Sequence, residues 1–115
     1  MNIEELRKLC TSLPDVTEDI KWENHLCFNI GGKMFCILGL DQVPVTASFK
    51  TSDEDFTLLS TREGFRPAPY LARYKWIHTS DINNLSTKDW KKLISESYRL
   101  IKSKLPKKIL ITLEN

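Results

Sequence analysis

The chain has few of the residue types that mark metal, redox or membrane proteins. Its three cysteines, Cys10, Cys27 and Cys36, are an odd number without the Cys-x-x-Cys spacing of zinc sites and thioredoxin-type motifs. No apolar run approaches the roughly 20 residues that a transmembrane helix needs. The first ten residues mix acidic and basic side chains, which is not typical of a signal peptide. We therefore expect a cytoplasmic protein without a metal site or cofactor.

Catalytic patterns are equally scarce. The two histidines are His25 and His78, and no other residue near either of them completes a recognisable catalytic motif. His25 and Cys27 are two apart on a predicted strand and would face the same way, so an imidazole-activated thiolate is conceivable. Ser95 and Ser97 lack the glycines of a nucleophile elbow. The sequence favours a noncatalytic binding protein.

Length and charge suggest one soluble domain over residues 1–115. Hydrophobic residues make up 41% and charged residues 28%, which is ordinary for a globular protein with its own core. Residues 1–60 carry 5 Lys/Arg against 10 Asp/Glu, whereas residues 61–115 carry 12 against 5. Such asymmetry can mark a side that faces nucleic acid, or helix surfaces that form salt bridges across the fold. The pI near 8.4 is below the value of about 9 typical of a dedicated nucleic-acid module.

Residues 26–40 read as a β-hairpin, since two apolar runs flank the pair Gly31-Gly32. A symmetric two-residue turn pairs Ile30 with Lys33, Phe28 with Phe35, and Leu26 with Ile37. This register predicts that the Leu26, Phe28, Phe35 and Ile37 side chains form the floor of the core.

The same register places Cys27 opposite Cys36 on the second face of the hairpin. A non-hydrogen-bonded pair has Cα atoms about 4.5 Å apart, within reach of a disulfide, although two reduced thiols are expected in the cytosol. This face is less polar than an open sheet surface. We expect either the C-terminal tail or another subunit, as in a homodimer, to cover it.

The remaining elements follow from periodicity and from start and stop signals. Helices are predicted at residues 3–12, 53–61 and 86–105, capped by Asn2, Ser52 and Ser86, and further strands at 45–50 and 74–79. Residues 14–24 read as an acidic connector, and residues 65–70 as irregular because of two prolines. The tail after Pro106 is apolar enough to pack or to pair as an edge strand. The order α-β-β-β-α-β-α predicts an α+β, two-layer domain, with an antiparallel sheet of about four to five strands and the N- and C-terminal helices on one face.

In segment order the chain resembles the MmcQ/YjbR family of small bacterial proteins along nearly its whole length. The matching segments are T-E-D-I-K-W-E-N-H at 17–25, G-G-K-M-F at 31–35, S-F-K at 48–50, G-F-R-P-A-P-Y at 64–70, Trp76, S-E-S-Y at 95–98 and K-L-P-K-K at 104–108. The resemblance implies a frataxin/CyaY-like fold with a double-wing arrangement. Members are commonly described as DNA-binding, and the family brings no catalytic motif.

A basic segment interleaved with aromatics is the first candidate for function. Arginine and lysine would neutralise phosphates, and exposed tyrosines would stack on unpaired bases. The predicted nucleic-acid contacts are Lys33, Lys50, Arg62, Arg66, Tyr70, Arg73 and Lys75. The alternative is that the tyrosines are half-buried and the charges are solvated loop residues.

A second candidate is an adaptor for a protein or small ligand, with a pocket near Trp22, Tyr70 and Trp76. A third comes from the resemblance alone, because frataxin-like folds can bind iron on an acidic first helix and the loop after it. The acidic residues in this region are Glu4, Asp15, Glu18, Asp19 and Glu23.

Overall fold

One antiparallel sheet organises the computed structural model, which describes residues 1–114. Within those residues the strands are β1 Thr17–Lys21, β2 His25–Ile30, β3 Lys33–Gly39, β4 Thr46–Lys50, β5 Phe65–Pro67 and β6 Trp76–Thr79. Their spatial order is β1-β2-β3-β4-β6-β5. The α+β prediction is confirmed, and the sheet has six strands rather than four to five.

The helices lie where capping residues begin them. They are α1 Ile3–Thr11, α2 Asp53–Ser60, α3 Thr87–Ser103 and α4 Lys107–Glu114. The side chains of Asn2, Ser52 and Ser86 each accept a hydrogen bond from the backbone N–H three residues later, which confirms the three predicted caps. In the described part of the chain, no helix combines the length and apolar character that crossing a membrane requires.

Strand β1 replaces the acidic connector expected at residues 14–24. It pairs with β2 from Thr17 opposite Asn29 to Lys21 opposite His25. The prediction was wrong because acidic residues are tolerated on an edge strand, where side chains reach solvent. The turn that follows is tight, and Trp22 has a left-handed φ of 50°.

Strand β5 lies in the segment expected to be irregular. Proline disfavours helix in the residue before it but is compatible with extended backbone, and Pro67 ends an edge strand where no ladder N–H is needed. β5 pairs only with β6, from Phe65 opposite Thr79 to Pro67 opposite Ile77.

The hairpin register differs from the symmetric prediction because β3 contains a bulge. Phe28 pairs with Cys36 and Asn29 with Met34, which leaves Phe35 as the extra residue between them. Compared with a regular strand, every side chain beyond the extra residue points to the opposite face of the sheet. The predicted pairs of Phe28 with Phe35 and Leu26 with Ile37 are therefore wrong.

The bulge also separates the two cysteines of the hairpin. Cys36 lies in the main core, and Cys27 lies in a separate cluster with Ile37 on the opposite face. A disulfide between them is excluded by this geometry. The neighbouring Cys10 thiol, and then burial, hold the pKa of Cys36 well above its usual range.

Ser97 of α3 anchors the bulge from the helix side. Its hydroxyl donates to the Phe35 carbonyl at 2.5 Å and accepts from the Lys50 N–H at 3.1 Å. Ser97 is fully buried, so water cannot replace these bonds. One side chain thus satisfies backbone groups from two neighbouring strands.

The main core lies between the sheet and the helices. Trp90 packs edge-on against Phe49 at 5.3 Å between ring centroids, and Tyr98 against Phe35 at 5.6 Å. Helix α3 faces this core with a stripe of buried side chains, namely Trp90, Leu93, Ile94, Ser97 and Tyr98. Helix α1 adds Leu6 and Cys10 to the same core.

The C-terminal tail forms α4 instead of an edge strand. One face of α4 packs against the main core through Ile109, Leu110 and Leu113. Residues at positions i, i+1 and i+4 lie on the same side of a helix. Ile109, together with Leu105, lies against the hairpin turn at Gly31. The tail therefore covers the core side of the hairpin and leaves its second face to other residues.

Candidate functional site

The sheet face opposite the helices, here called the outer face, is only partly covered. Residues 68–76 fold over it, and Ala68 and Trp76 form a small cluster with Cys27 and Ile37. The Ala68 N–H donates to the Trp76 carbonyl at 2.9 Å, which closes this segment on itself. The cover is supplied by the chain's own segment after β5 and not by the C-terminal tail.

A cleft of about 570 Å³ lies beside this cover on the outer face. Its volume is in the range of small-molecule sites. Its walls are largely apolar, with Met34, Ile37, Ala68, Pro69 and Leu71 among them. Polar side chains are few and lie on the strands, namely His25, Thr46, Ser48 and His78.

Two exposed aromatic residues flank the mouth of the cleft. Trp22 is 63% exposed and Tyr70 is 99% exposed. Both have left-handed backbone, with φ of 50° and 66°. Bulky side chains rarely adopt this conformation, which costs on the order of 1 kcal/mol or more per residue. Both conformations occur in turns: Trp22 lies in the turn between β1 and β2, and Tyr70 in a turn that the Leu71 N–H closes on the Ala68 carbonyl at 3.2 Å. Their exposed rings beside an apolar cleft make them candidate ligand contacts.

The polar end of the cleft lies across β4, β6 and β5. Ser48 pairs with His78, and His78 pairs with Arg66, so the three residues form one row on the outer face. The Ser48 Oγ is 2.9 Å from His78 Nδ1. Burial, and then the positive charge of Arg66, lower the pKa of His78. The imidazole is therefore neutral at neutral pH.

His25 lies at the other end of the cleft. It is on β2, three strands from His78, a separation of about 14 Å. Its buried Nδ1 has no hydrogen-bond partner among the described residues, and its ring meets the edge of Trp22 at 5.8 Å. A ligand atom that hydrogen-bonds to this nitrogen would satisfy it.

The imagined thiolate at Cys27 is disfavoured. Cys27 and His25 do share the outer face, but the Cys27 thiol hydrogen-bonds to the His25 backbone oxygen at 3.8 Å. Burial is the main cause that raises the pKa of Cys27. The thiol is therefore protonated near neutral pH and serves as an apolar packing group.

Two of the three residues proposed for a pocket lie together. Trp22 and Tyr70 both line the cleft. Trp76 is only 4% exposed and packs with Ala68 in the small outer cluster. It supports the cover of the cleft without lining it.

Lys50 is not available to a phosphate, which corrects one of the predicted nucleic-acid contacts. It is 7% exposed, and its ammonium donates to the Tyr74 carbonyl at 2.6 Å. Burial is the first cause that lowers its pKa. The long side chain reaches across the end of β4 to bind the backbone before β6, so its charge serves the fold.

The other predicted cations lie at different ends of the sheet. Lys33 begins β3 and Lys75 immediately precedes β6. Both strands pair with β4, and the strand register places these two starts at the same end of the sheet. Arg62 precedes β5, whose start pairs with the opposite end of β6. Its guanidinium donates to the Asn84 carbonyl at 2.9 Å.

These cations also point to different sides of the sheet. The Lys75 ammonium lies 5.0 Å above the ring of Phe56 on α2, which is on the helix side. Arg66 lies on the outer face beside His78. The Arg73 guanidinium stacks on Tyr74 and donates to its hydroxyl at 2.6 Å. The predicted basic segment is therefore not one continuous surface.

Much of the acidic set is paired within the fold. Both carboxylate oxygens of Glu18 lie 3.0 Å from Arg7 Nε and share its single N–H, Arg7 Nη2 also donates to Glu18, and this contact lowers the Glu18 pKa. Asp19 accepts from Asn29 at 2.9 Å and from Lys21 at 3.1 Å. Over residues 1–114, no three metal-ligating side chains come together. The geometry gives the iron hypothesis no support.

Sequence reasoning did not single out Ser48, His78 or Arg66 as one site. Strand alternation directs the Ser48 side chain away from that of Phe49, and the His78 side chain away from that of Ile77. The missing information was that β4 and β6 are neighbours in the sheet. Only that adjacency brings the serine and the histidine together.

Comparison with known proteins gives a family and a fold. The family model described as YjbR matches residues 11–100. The chain is similar to the Deinococcus radiodurans protein DR2400, which has a DUF419 domain, at 21% identity and a TM-score of 0.86, over 98% of this chain and 88% of that one. It is also similar to a Pseudomonas syringae protein at 21% identity and a TM-score of 0.68, over 87% of this chain and 98% of that one. No curated protein matches the chain. Because the family model covers most of its length, the chain belongs to the YjbR family.

Proposed function

We propose that this protein is a noncatalytic binding protein that takes a small, flat and largely apolar ligand in the cleft of the outer face. The observation that carries the proposal is the pair of exposed, left-handed aromatic residues, Trp22 and Tyr70, at the mouth of an apolar cleft of about 570 Å³. A planar ring between them gains dispersion and quadrupole contacts on both sides.

The walls of the cleft support an apolar ligand body. Met34 and Leu71 offer flexible and branched apolar surface, and transfer of a ring from water to such surface is favourable by about 25 cal/mol per Å². A noncatalytic role is supported by the hydrogen bonds of His78. Among the described residues its ring bonds only to Ser48, and no carboxylate orients it as a general base.

Single-stranded nucleic acid is a second candidate, favoured by the nearly complete exposure of Tyr70. An unpaired base is itself a flat ring, and stacking on an aromatic side chain contributes about 1–3 kcal/mol. Arg66 and Arg73 are the predicted cations nearest in sequence to this residue. Binding of this kind would weaken steeply with salt, whereas binding of a neutral ligand would not.

A neutral probe tests the first proposal. N-phenyl-1-naphthylamine carries a flat naphthalene ring and no charge, and Trp22 is an internal reporter because, of the three tryptophans, it is the one that lines the cleft. We expect saturable enhancement of the probe's emission and quenching of Trp22. Tyr70→Gly should weaken the binding severalfold, since it removes one wall of the mouth.

The matched control is Tyr74→Ala, which removes a half-exposed tyrosine outside the cleft. It should leave the affinity for the probe unchanged. Equal affinity in the wild type and in Tyr70→Gly would overturn the proposed site. A fluorescein-labelled oligothymidylate, titrated at increasing salt by anisotropy, decides the second candidate, and an absence of binding at low salt would remove it.

A further inference from the structure

We propose that the end of the cleft formed by Arg66, His78 and Ser48 binds an acidic group of the ligand, so that the natural ligands are flat organic anions. This proposal rests on the proposed function, because it assigns a chemical class to the ligand of the same cleft. The acidic group is a carboxylate, sulfonate or phosphate, and the apolar body extends toward Trp22 and Tyr70.

The sheet register brings the three side chains to one place. Ser48 on β4, His78 on β6 and Arg66 on β5 are successive cross-strand partners. Directly opposed residues have Cβ atoms about 4.5–5.5 Å apart on the same face. A hydroxyl, an imidazole and a guanidinium therefore form one continuous polar row, in which the hydrogen-bonded Ser48–His78 pair has one donor left beside the guanidinium.

The Arg66 guanidinium is available for a ligand. Three of the four other arginines are engaged: Arg7 binds Glu18, Arg62 binds the Asn84 carbonyl and Arg73 binds Tyr74, whereas Arg99 lies on α3, away from the cleft. Arg66 is exposed and, within residues 1–114, has neither an ion pair nor a side-chain hydrogen bond. A guanidinium binds a carboxylate or phosphate through two parallel hydrogen bonds, which favours this class of partner.

The shape of the surface continues from the cleft to Arg66. A second hollow of about 300 Å³ is lined by Arg66, His78, Phe65 and Ser80. His78 belongs to the walls of both hollows, so the two meet at this residue. Neither wall contains a carboxylate, and the one fully charged side chain is Arg66. An anion meets no like charge there.

The state of His78 fits the same role. Burial and the charge of Arg66 keep the imidazole neutral near pH 7, when the hydrogen-bonded pair of Ser48 and His78 still has one N–H or O–H to donate. A bound anion would oppose both effects and favour the imidazolium. The groups that face His78 are Ser48 from β4 and Arg66 from β5, and of these only Arg66 is charged.

Two probes that differ by one acidic group provide the test. 1-Anilinonaphthalene-8-sulfonate has the ring system of N-phenyl-1-naphthylamine with an added sulfonate, which stays ionised over the whole pH range used. We expect Arg66→Gln to weaken binding of the sulfonate probe about tenfold, the effect of losing one charge-assisted contact, and to leave the neutral probe unchanged. Arg66→Lys should restore part of the loss. Arg73→Gln is the matched control and should change neither affinity.

Lowering the pH from about 8 to about 5.5 should tighten sulfonate binding in the wild type but not in His78→Gln. Equal weakening of both probes by Arg66→Gln, or a pH response that persists in His78→Gln, would overturn the anion site. The proposed function fails separately, if the neutral probe does not bind the wild type at all.

Discussion

The two glycines of the hairpin turn offer a matched test of how the C-terminal helix packs. Both have left-handed backbone, with φ of 57° at Gly31 and 81° at Gly32. A Cβ added at Gly31 would lie 2.6 Å from Leu105 Cδ1 and 3.0 Å from Ile109 Cγ2. A Cβ added at Gly32 meets no atom within 4 Å. The two substitutions therefore share the backbone cost and differ in the packing cost.

The magnitudes follow from these distances. Alanine in a left-handed conformation costs about 1 kcal/mol relative to glycine, which is the whole expected effect of Gly32→Ala. Gly31→Ala also forces Leu105 to move, and Leu105 is buried in the main core. Overpacking of this kind costs about 1–3 kcal/mol more. We expect losses of about 1 kcal/mol for Gly32→Ala and about 2–4 kcal/mol for Gly31→Ala.

Urea unfolding followed by tryptophan fluorescence and by far-ultraviolet circular dichroism measures both variants. The dependence of the free energy on urea should match the wild type, so that a change in midpoint reports stability. Equal losses in the two variants would refute the reasoning. They would mean that Leu105 and Ile109 do not lie against the turn, and hence that α4 packs elsewhere.

Three further predictions concern the anchor of the bulge, the mouth of the cleft and its polar end. Ser97→Ala should lower the free energy of unfolding in urea by about 2–4 kcal/mol, because it leaves two buried backbone groups unpaired, whereas Ser95→Ala at an exposed site of the same helix should change it by less than about 0.5 kcal/mol. Tyr70→Gly should leave the free energy of unfolding unchanged or raise it by up to about 1 kcal/mol, because glycine adopts a left-handed φ without strain. A lower free energy of unfolding, measured by thermal unfolding, would contradict the account of strain. The lowered pKa of His78 means that this residue binds a proton more readily in the unfolded chain than in the folded one. Its contribution to the free energy of unfolding is therefore fully present above about pH 6.5 and is lost as the pH falls below that value, with a slope of at most about 1.4 kcal/mol per pH unit. His78→Gln should remove that part of the slope in urea unfolding at several pH values, and parallel curves would contradict it.

The parts of the fold that depend on local physics were predicted well. The caps at Asn2, Ser52 and Ser86 rest on side-chain and backbone groups within three residues of each other. The stripe of α3 follows from helical periodicity, and the turn at Gly31-Gly32 from the positive φ that glycine allows. Each of these features can be read in a short window of sequence, because the interacting groups are neighbours in the chain.

The hairpin register failed for a nonlocal reason. A symmetric turn leaves Phe35 opposite Phe28, and nothing within residues 26–40 reveals the bulge. Its backbone is held by Ser97, a residue 62 positions away in sequence. Burial of both Phe35 and Cys36 on the core side offsets the free-energy cost of interrupting the strand ladder at the bulge. The same bulge moves Cys36 away from Cys27.

The candidate site divides in the same way. The sequence alone determined the fold class and the family resemblance, and it pointed to Trp22 and Tyr70 as candidate ligand contacts. Strand alternation also fixes which side of its own strand each of Ser48 and His78 points to. Tertiary structure alone decided that β4 and β6 are neighbours, that Lys50 is buried and that Arg66 completes a row with Ser48 and His78. The physical reason is that alternation gives a side chain's direction, whereas its neighbours depend on strand order and register across the sheet.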